Sequence, residues 1–160
     1  MPDGKQLADM QDRIRNHLAR YIATDGADGY WWDTGSGEGK SPVPTLLLTT
    51  IGRKTGRSIT LPLIFGRSGA DFVVVASKGG SPNHPAWYLN LVADPAVRVQ
   101  VKAEKFNAQS HTADSAERAS LWPLMVKVYS PYAQFQQRTE RLIPIVVLRR
   151  VGIRLLQSAT

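Results

Sequence analysis

Apolar residues recur at three- and four-residue steps near the start of the chain: Leu7, Met10, Ile14, Leu18 and Tyr21. That spacing lines one stripe of an amphipathic helix, predicted over residues 3–23 with Asp3 as its N-cap. Residues 24–44 are polar and glycine-rich, which predicts a flexible connector. Near Val43 the pattern changes. A short apolar run with β-branched residues at 45–51 predicts a strand. Gly52-Arg53-Lys54-Thr55-Gly56 reads as a turn, and residues 58–65 as a second strand. Pro62 inside that second strand marks an edge or a bulge. Ser68-Gly69-Ala70-Asp71 then turns the chain into a third strand at 72–77 with an apolar centre.

A loop rich in Gly and Pro at 78–85 leads to a short helix at 86–93, ended by Asp94-Pro95. Val97, Val99 and Val101 alternate with Arg98, Gln100 and Lys102, the signature of a half-buried strand. Ala103-Glu104 turns it into a partner strand over 105–111. Asp114 and Glu117 have the spacing of a capping box. The helix they open carries Pro123, which kinks it or falls near its first turn. Ser130-Pro131 ends that helix, a second short one runs to about residue 141, and residues 143–148 form the last strand. About six antiparallel strands with three or four helices predict a mainly β, α+β fold: a small closed or half-closed barrel decorated by helices. The expected organisation is a helix and connector (1–42), a barrel domain (43–150) and a C-terminal tail (151–160).

Composition narrows the chemistry. The chain has 160 residues, the length of one domain. It has no cysteine, which excludes disulfides, thiolate catalysis and cysteine-held metals. No apolar run approaches the ~20 residues of a membrane-spanning helix. The first ten residues lack the apolar segment of a secretory signal, so cytoplasmic residence is expected. The formal charge is +7, unevenly placed. Residues 1–40 carry five basic and seven acidic side chains, net −2; residues 41–160 carry fifteen and six, net +9. The main body should therefore attract an anionic partner, whether nucleic acid, membrane surface or polyanionic cofactor. His17, His84 and His111 are scattered and no carboxylates stand at ligand spacing, so no metal site is expected. There is neither a Ser-His-Asp arrangement nor a G-x-G-x-x-G fingerprint.

The run from Pro44 through Thr45-Leu46-Leu47-Leu48-Thr49-Thr50-Ile51 into Gly52-Arg53-Lys54-Thr55-Gly56 resembles the first strand and turn of the deazaflavin (coenzyme F-420)-dependent nitroreductase family. Matching stretches follow in order: Ala76-Ser77-Lys78-Gly79-Gly80, Asn83-His84-Pro85-Ala86-Trp87-Tyr88-Leu89-Asn90-Leu91 and Asp94-Pro95-Ala96-Val97. Trp122-Pro123, Tyr129-Ser130-Pro131-Tyr132 and Ile143-Pro144-Ile145-Val146-Val147 complete the series, which spans about residues 43–149. The resemblance implies a split β-barrel of the flavin-reductase and pyridoxamine-oxidase type. It also implies bound F-420, a flavin analogue with a phosphate and several glutamates in its tail. The cofactor would do the redox chemistry while the protein positions it.

On its own residues, the turn at 52–56 offers backbone N–H groups and two cations suited to phosphate or carboxylate, or simply an exposed hairpin turn. The resemblance assigns Arg53, Lys54 and Thr55 to the cofactor tail, with Arg57 assisting. Many family members carry an arginine where this chain has Ile59, and Arg57 is placed to supply that charge. By the same resemblance Ala76 and Ser77 face the ring, Lys78 reaches the tail phosphate, and Pro62 joins the cofactor contacts. Trp87 either packs on the ring or fills the core, and Asn90 ties down the loop or the cofactor. Tyr129 and Tyr132 line the substrate side, and with Ser77 they are the catalytic candidates. A phenol there can donate to an oxygen that becomes negative during hydride transfer; the same aromatic spacing also describes plain helix packing. The family's nitroimidazole-reducing member has tyrosines where this chain has Phe135 and Ile64, so a more apolar pocket is expected here.

The function expected is hydride transfer from reduced F-420 to a small planar acceptor: a quinone, an enone or a nitroaromatic. The alternatives are an FMN-binding oxidoreductase of the same fold and a non-catalytic F-420 carrier. Nucleic acid is not expected as a partner, since no motif for it accompanies the basic charge. The amphipathic helix and cationic body suit peripheral contact with an anionic membrane, although Asp9 and Asp12 interrupt Arg13, Arg15 and Arg20. A monomer or weak homodimer is expected.

Overall fold

The computed structural model describes residues 3–33 and 42–151. Helix α1 (Gly4–Thr24) opens with a capping box: the Asp3 carboxylate accepts the Gln6 N–H, and the Gln6 side chain accepts the Asp3 N–H. It ends at Asp25 and Gly26, both left-handed. The predicted apolar stripe buries only toward its C-terminal end. Tyr21 is fully buried, whereas Leu7, Met10 and Ile14 stay exposed. Tyr21 donates its hydroxyl proton to the Thr45 carbonyl and accepts the Lys102 N–H, pinning α1 to two strand ends.

The strands are β1 (Trp31–Trp32), β2 (Val43–Ile51), β3 (Ser58–Ile64), β4 (Gly66–Ser68), β5 (Asp71–Val75), β6 (Ala96–Val101), β7 (Glu104–Thr112) and β8 (Ile145–Arg150). They pair antiparallel in the order β1-β2-β6-β7-β8-β5-β4, with β3 added on β2. This is the split β-barrel expected. Two strands exceed the predicted six, β1 and β4, and both are too short to leave a periodic pattern. β1 lies within the stretch read as a flexible connector, where Trp31 and Trp32 pair with Pro44 and Val43. The glycine-rich residues 34–41 of that connector and the tail at 152–160 lie outside the described residues. Pro62 costs little where it stands, because β3 pairs only with β2 among the described strands.

Alternation along β5 and β8 explains their unbroken apolar centres. Phe72, Val74, Val146 and Leu148 point into the barrel with Leu46, Trp87 and Phe106. Val73, Val75, Ile145 and Val147 point outward, under Leu121 and Met125 of α3 (Ser115–Val128) and Tyr132 of α4 (Pro131–Gln137). Both faces are buried, so both sets of positions must be apolar. The Asp114/Glu117 capping box forms as its spacing predicts, and Pro123 lies inside α3 rather than at its start. The short helix α2 (Ala86–Ala93) packs against β2.

Candidate active site

Five parts of the fold meet around one cavity of about 530 Å³. α1 and β1 contribute Ile14, His17 and Trp32; β2 and β3 contribute Thr45 and residues 61–64. The end of β5 and the following loop contribute Val75, Ser77 and Lys78; the start of α2 contributes Pro85, Ala86 and Trp87. Tyr129, Tyr132 and Phe135 close the remaining side. The volume is that of a small-molecule or cofactor site, and mostly apolar walls with few polar groups fit such a site.

The predicted residues divide into two groups. Pro62, Ser77, Lys78, Trp87, Tyr129 and Tyr132 line this cavity. Ala76 is fully buried behind it, with its N–H given to the Pro144 carbonyl. Arg53, Lys54, Thr55 and Arg57 lie outside, all exposed on the β2–β3 turn. That turn is closed by Gly52 and Gly56 N–H bonds to the Arg57 and Gly52 carbonyls. Thr55 spends its hydroxyl oxygen on the Arg57 N–H. β3 begins at Ser58, so Arg57 belongs to the turn and Ile59 to the strand. Asn90 is buried between the two groups. Its side chain accepts the Arg53 N–H at 3.1 Å and donates to the Thr50 hydroxyl at 3.2 Å, bracing the cationic turn against α2. The side-chain partners of Asn90 thus belong to β2 and the turn after it, not to the loop at 78–85.

Trp87 is 7 % exposed, a member of the barrel core whose side chain also forms part of the cavity wall. Tyr132 is 4 % exposed, edge-on to Tyr129 with ring centroids 5.1 Å apart. Burial pushes its phenol well above the usual tyrosine value, with the Tyr129 phenol adding to the effect. No buried side-chain oxygen among the described residues lacks a partner. Among the described residues no protein group hydrogen-bonds the Tyr132 hydroxyl, and the ring lies on the cavity wall.

Two further wall residues, His17 and Trp32, belong to no motif of the sequence. His17, 3 % exposed, stacks on Trp32 at 4.0 Å and donates Nε2–H to the Gly29 carbonyl at 2.7 Å. Desolvation holds the His17 pKa below the ordinary value; the hydrogen bond to Gly29 opposes this. The Trp31-Trp32 pair inside a polar stretch was the one available signal, because two adjacent indoles are unusual in a solvated linker.

A sequence profile described as F-420H(2)-dependent quinone reductase matches residues 13–150. The chain belongs to this family. It is 37% identical over 143 residues to an F-420H(2)-dependent quinone reductase of Mycobacterium tuberculosis (strain H37Rv), covering 86% of this chain and 89% of that one. Among solved structures, an F-420H(2)-dependent reductase (FDR-A) is 38% identical with a TM-score of 0.62, over 66% of this chain and 94% of that one. A structure described as a domain-swapped dimer is 32% identical with a TM-score of 0.64, over 87% of this chain and 98% of that one. The family match speaks for F-420 over FMN as the cofactor class. Among the described residues no cluster of His, Asp or Glu could hold a metal ion, and no helix is long and apolar enough to cross a membrane.

Proposed function

We propose that the cavity takes reduced F-420 together with a planar, quinone-like acceptor, and that the protein brings the two into contact. The observation that carries this is a mostly apolar cavity with an exposed lysine at its edge, in a chain of this family. The residues present fit the cofactor. Pro62, Trp87 and the backbone at Ala76–Ser77 would hold a flat ring, and Lys78 the tail phosphate. Arg53, Lys54 and Arg57, with Thr55, would hold the carboxylates; none of these cations has an acidic partner among the described ion pairs.

Bound there, reduced F-420 supplies two electrons as a hydride. The chain's own residues do the rest. Apolar walls exclude water from the transfer. Tyr132 keeps its proton at neutral pH and donates a hydrogen bond to an acceptor oxygen gaining negative charge. Tyr129 and Ser77, on the wall of the same cavity, would act as further donors. Phe135 and Ile64 line the cavity without phenols, which favours an apolar quinone over a nitroimidazole.

Steady-state oxidation of reduced F-420 with a naphthoquinone tests the reading, beside an enone and a nitroaromatic. Saturable turnover with the quinone supports it. F-420 binding without turnover of any acceptor would instead assign a cofactor carrier. Two features of assembly belong to the same reading. The dimer described for a 32%-identical structure supports a homodimer here, read by sedimentation. The exposed Leu7, Met10 and Ile14 support peripheral contact with anionic lipid. Co-sedimentation with anionic vesicles, with and without residues 1–25, tests that contact.

A further inference from the structure

Arg141, in the segment after α4, reaches across to the loop that carries Ser77 and Lys78. Nη1 donates to the Ala76 carbonyl at 3.2 Å and to His84 Nδ1 at 3.1 Å; Nη2 donates to the Ser77 carbonyl at 2.7 Å; Nε donates to the Ser81 carbonyl at 2.8 Å. One guanidinium thus takes up three carbonyls and an imidazole of a single loop. Only a planar fork with five N–H donors can do this.

That loop needs holding. Lys78, Gly79 and Gly80 are all left-handed, at φ 45°, 64° and 81°. For Lys78 this conformation costs about 1 kcal/mol or more and must be imposed by its surroundings. Gly80 presses on α4, where an added Cβ would sit 2.5 Å from the Phe135 carbonyl oxygen. Arg141 is itself anchored: Gln136 donates to its carbonyl at 2.8 Å and accepts the Ile143 N–H at 2.9 Å. The loop and α4 form two walls of the same cavity, and the guanidinium ties them together.

We propose that Arg141 is a positioning residue of the cofactor site, fixing the loop at 76–84 so that Ser77 and Lys78 present themselves to the cavity. It pairs with no carboxylate among the described residues, so its charge also adds to the field that Lys78 offers an anion. The ligand in this proposal rests on the F-420 reading above; the loop-holding does not.

The test compares wild type, Arg141→Gln, Arg141→Lys and the control Arg138→Ala, whose one loop contact is 3.5 Å long. Three readouts are taken: the Kd for oxidised F-420, hydrogen exchange of the amides at 76–84 without cofactor, and titration of His84 by NMR. Arg141→Gln is expected to raise Kd at least tenfold and to speed exchange in this loop alone. It should also let His84 protonate at higher pH, since burial and then the Arg141 charge hold its pKa down. Arg141→Lys keeps the charge but not the fork, so it should recover only part of the affinity. Arg138→Ala should match wild type. Should Arg141→Gln fail to fold, Arg141→Lys decides by the same readouts. Unchanged loop exchange and wild-type Kd in either variant would overturn the proposal. If wild type binds no F-420, the cofactor reading falls while the exchange data still decide the loop-holding role.

Discussion

The cavity and the cationic turn are built by opposite means. Around the cavity, Trp87 and Tyr132 are sealed by packing, and the positions of their rings are fixed by two apolar cores. On the turn, Arg53, Lys54 and Arg57 are exposed, and only its backbone is fixed, by Gly52, Gly56 and Asn90. A ring is recognised by rigid walls; a flexible polyanionic tail is recognised by charges that can follow it. Substitutions of the packed rings should therefore affect folding or rate, and substitutions of the exposed cations on the turn affinity alone.

The largest effect should come from Trp87→Ala. It removes a core side chain and should cost roughly 3–5 kcal/mol, a large part of a domain's typical stability. Thermal unfolding would show a fall of many degrees; a small shift would mean that Trp87 is a wall and not a core residue. Tyr132→Phe should lower kcat by about 10- to 100-fold while leaving cofactor Kd and stability close to wild type, because the hydroxyl has no protein partner among the described residues. Equal turnover would reduce Tyr132 to packing. Asn90→Ala severs the link between the two regions. It should cost about 1–3 kcal/mol by leaving the Arg53 N–H and Thr50 hydroxyl without their partner, and should weaken F-420 binding as well. Lys54→Ala and Arg53→Ala should leave stability unchanged and weaken F-420 binding by about three- to tenfold at low ionic strength, less at high salt. An effect that ignores salt would contradict an electrostatic role.

The smallest effect concerns pH. His17 is held neutral by burial, so its folded pKa lies below the ordinary 6.5. Below that value the unfolded chain binds the proton more readily, and stability should decline as pH falls. His17→Gln should flatten this part of the stability profile.

Much of this fold was legible because its strands alternate strictly or are buried on both faces. β6 announces itself by Val97, Val99 and Val101, and β5 by an unbroken apolar centre. β1 and β4 were not legible, since two or three residues carry no period. The helix stripe was legible as a stripe, but a pattern does not say which part of it is buried, and Leu7 and Met10 stay exposed. In the site, the family motifs pointed to residues that line the cavity, such as Lys78 and Tyr132. They did not separate these from Asn90, whose contacts lie 37 and 40 residues away in the chain. Arg141 and His17 were missed for the same reason. Their roles come from contacts with residues 12 to 65 positions away in the chain, which local spacing does not encode.

The most direct test of the account is a tryptophan-fluorescence titration of the purified protein with oxidised F-420, run beside FMN at low and high salt. Trp87 lies on the cavity wall and supplies the signal. The account predicts saturable quenching by F-420, tighter at low salt, with weak or no response to FMN. Preference for FMN, or no response to either, would contradict it.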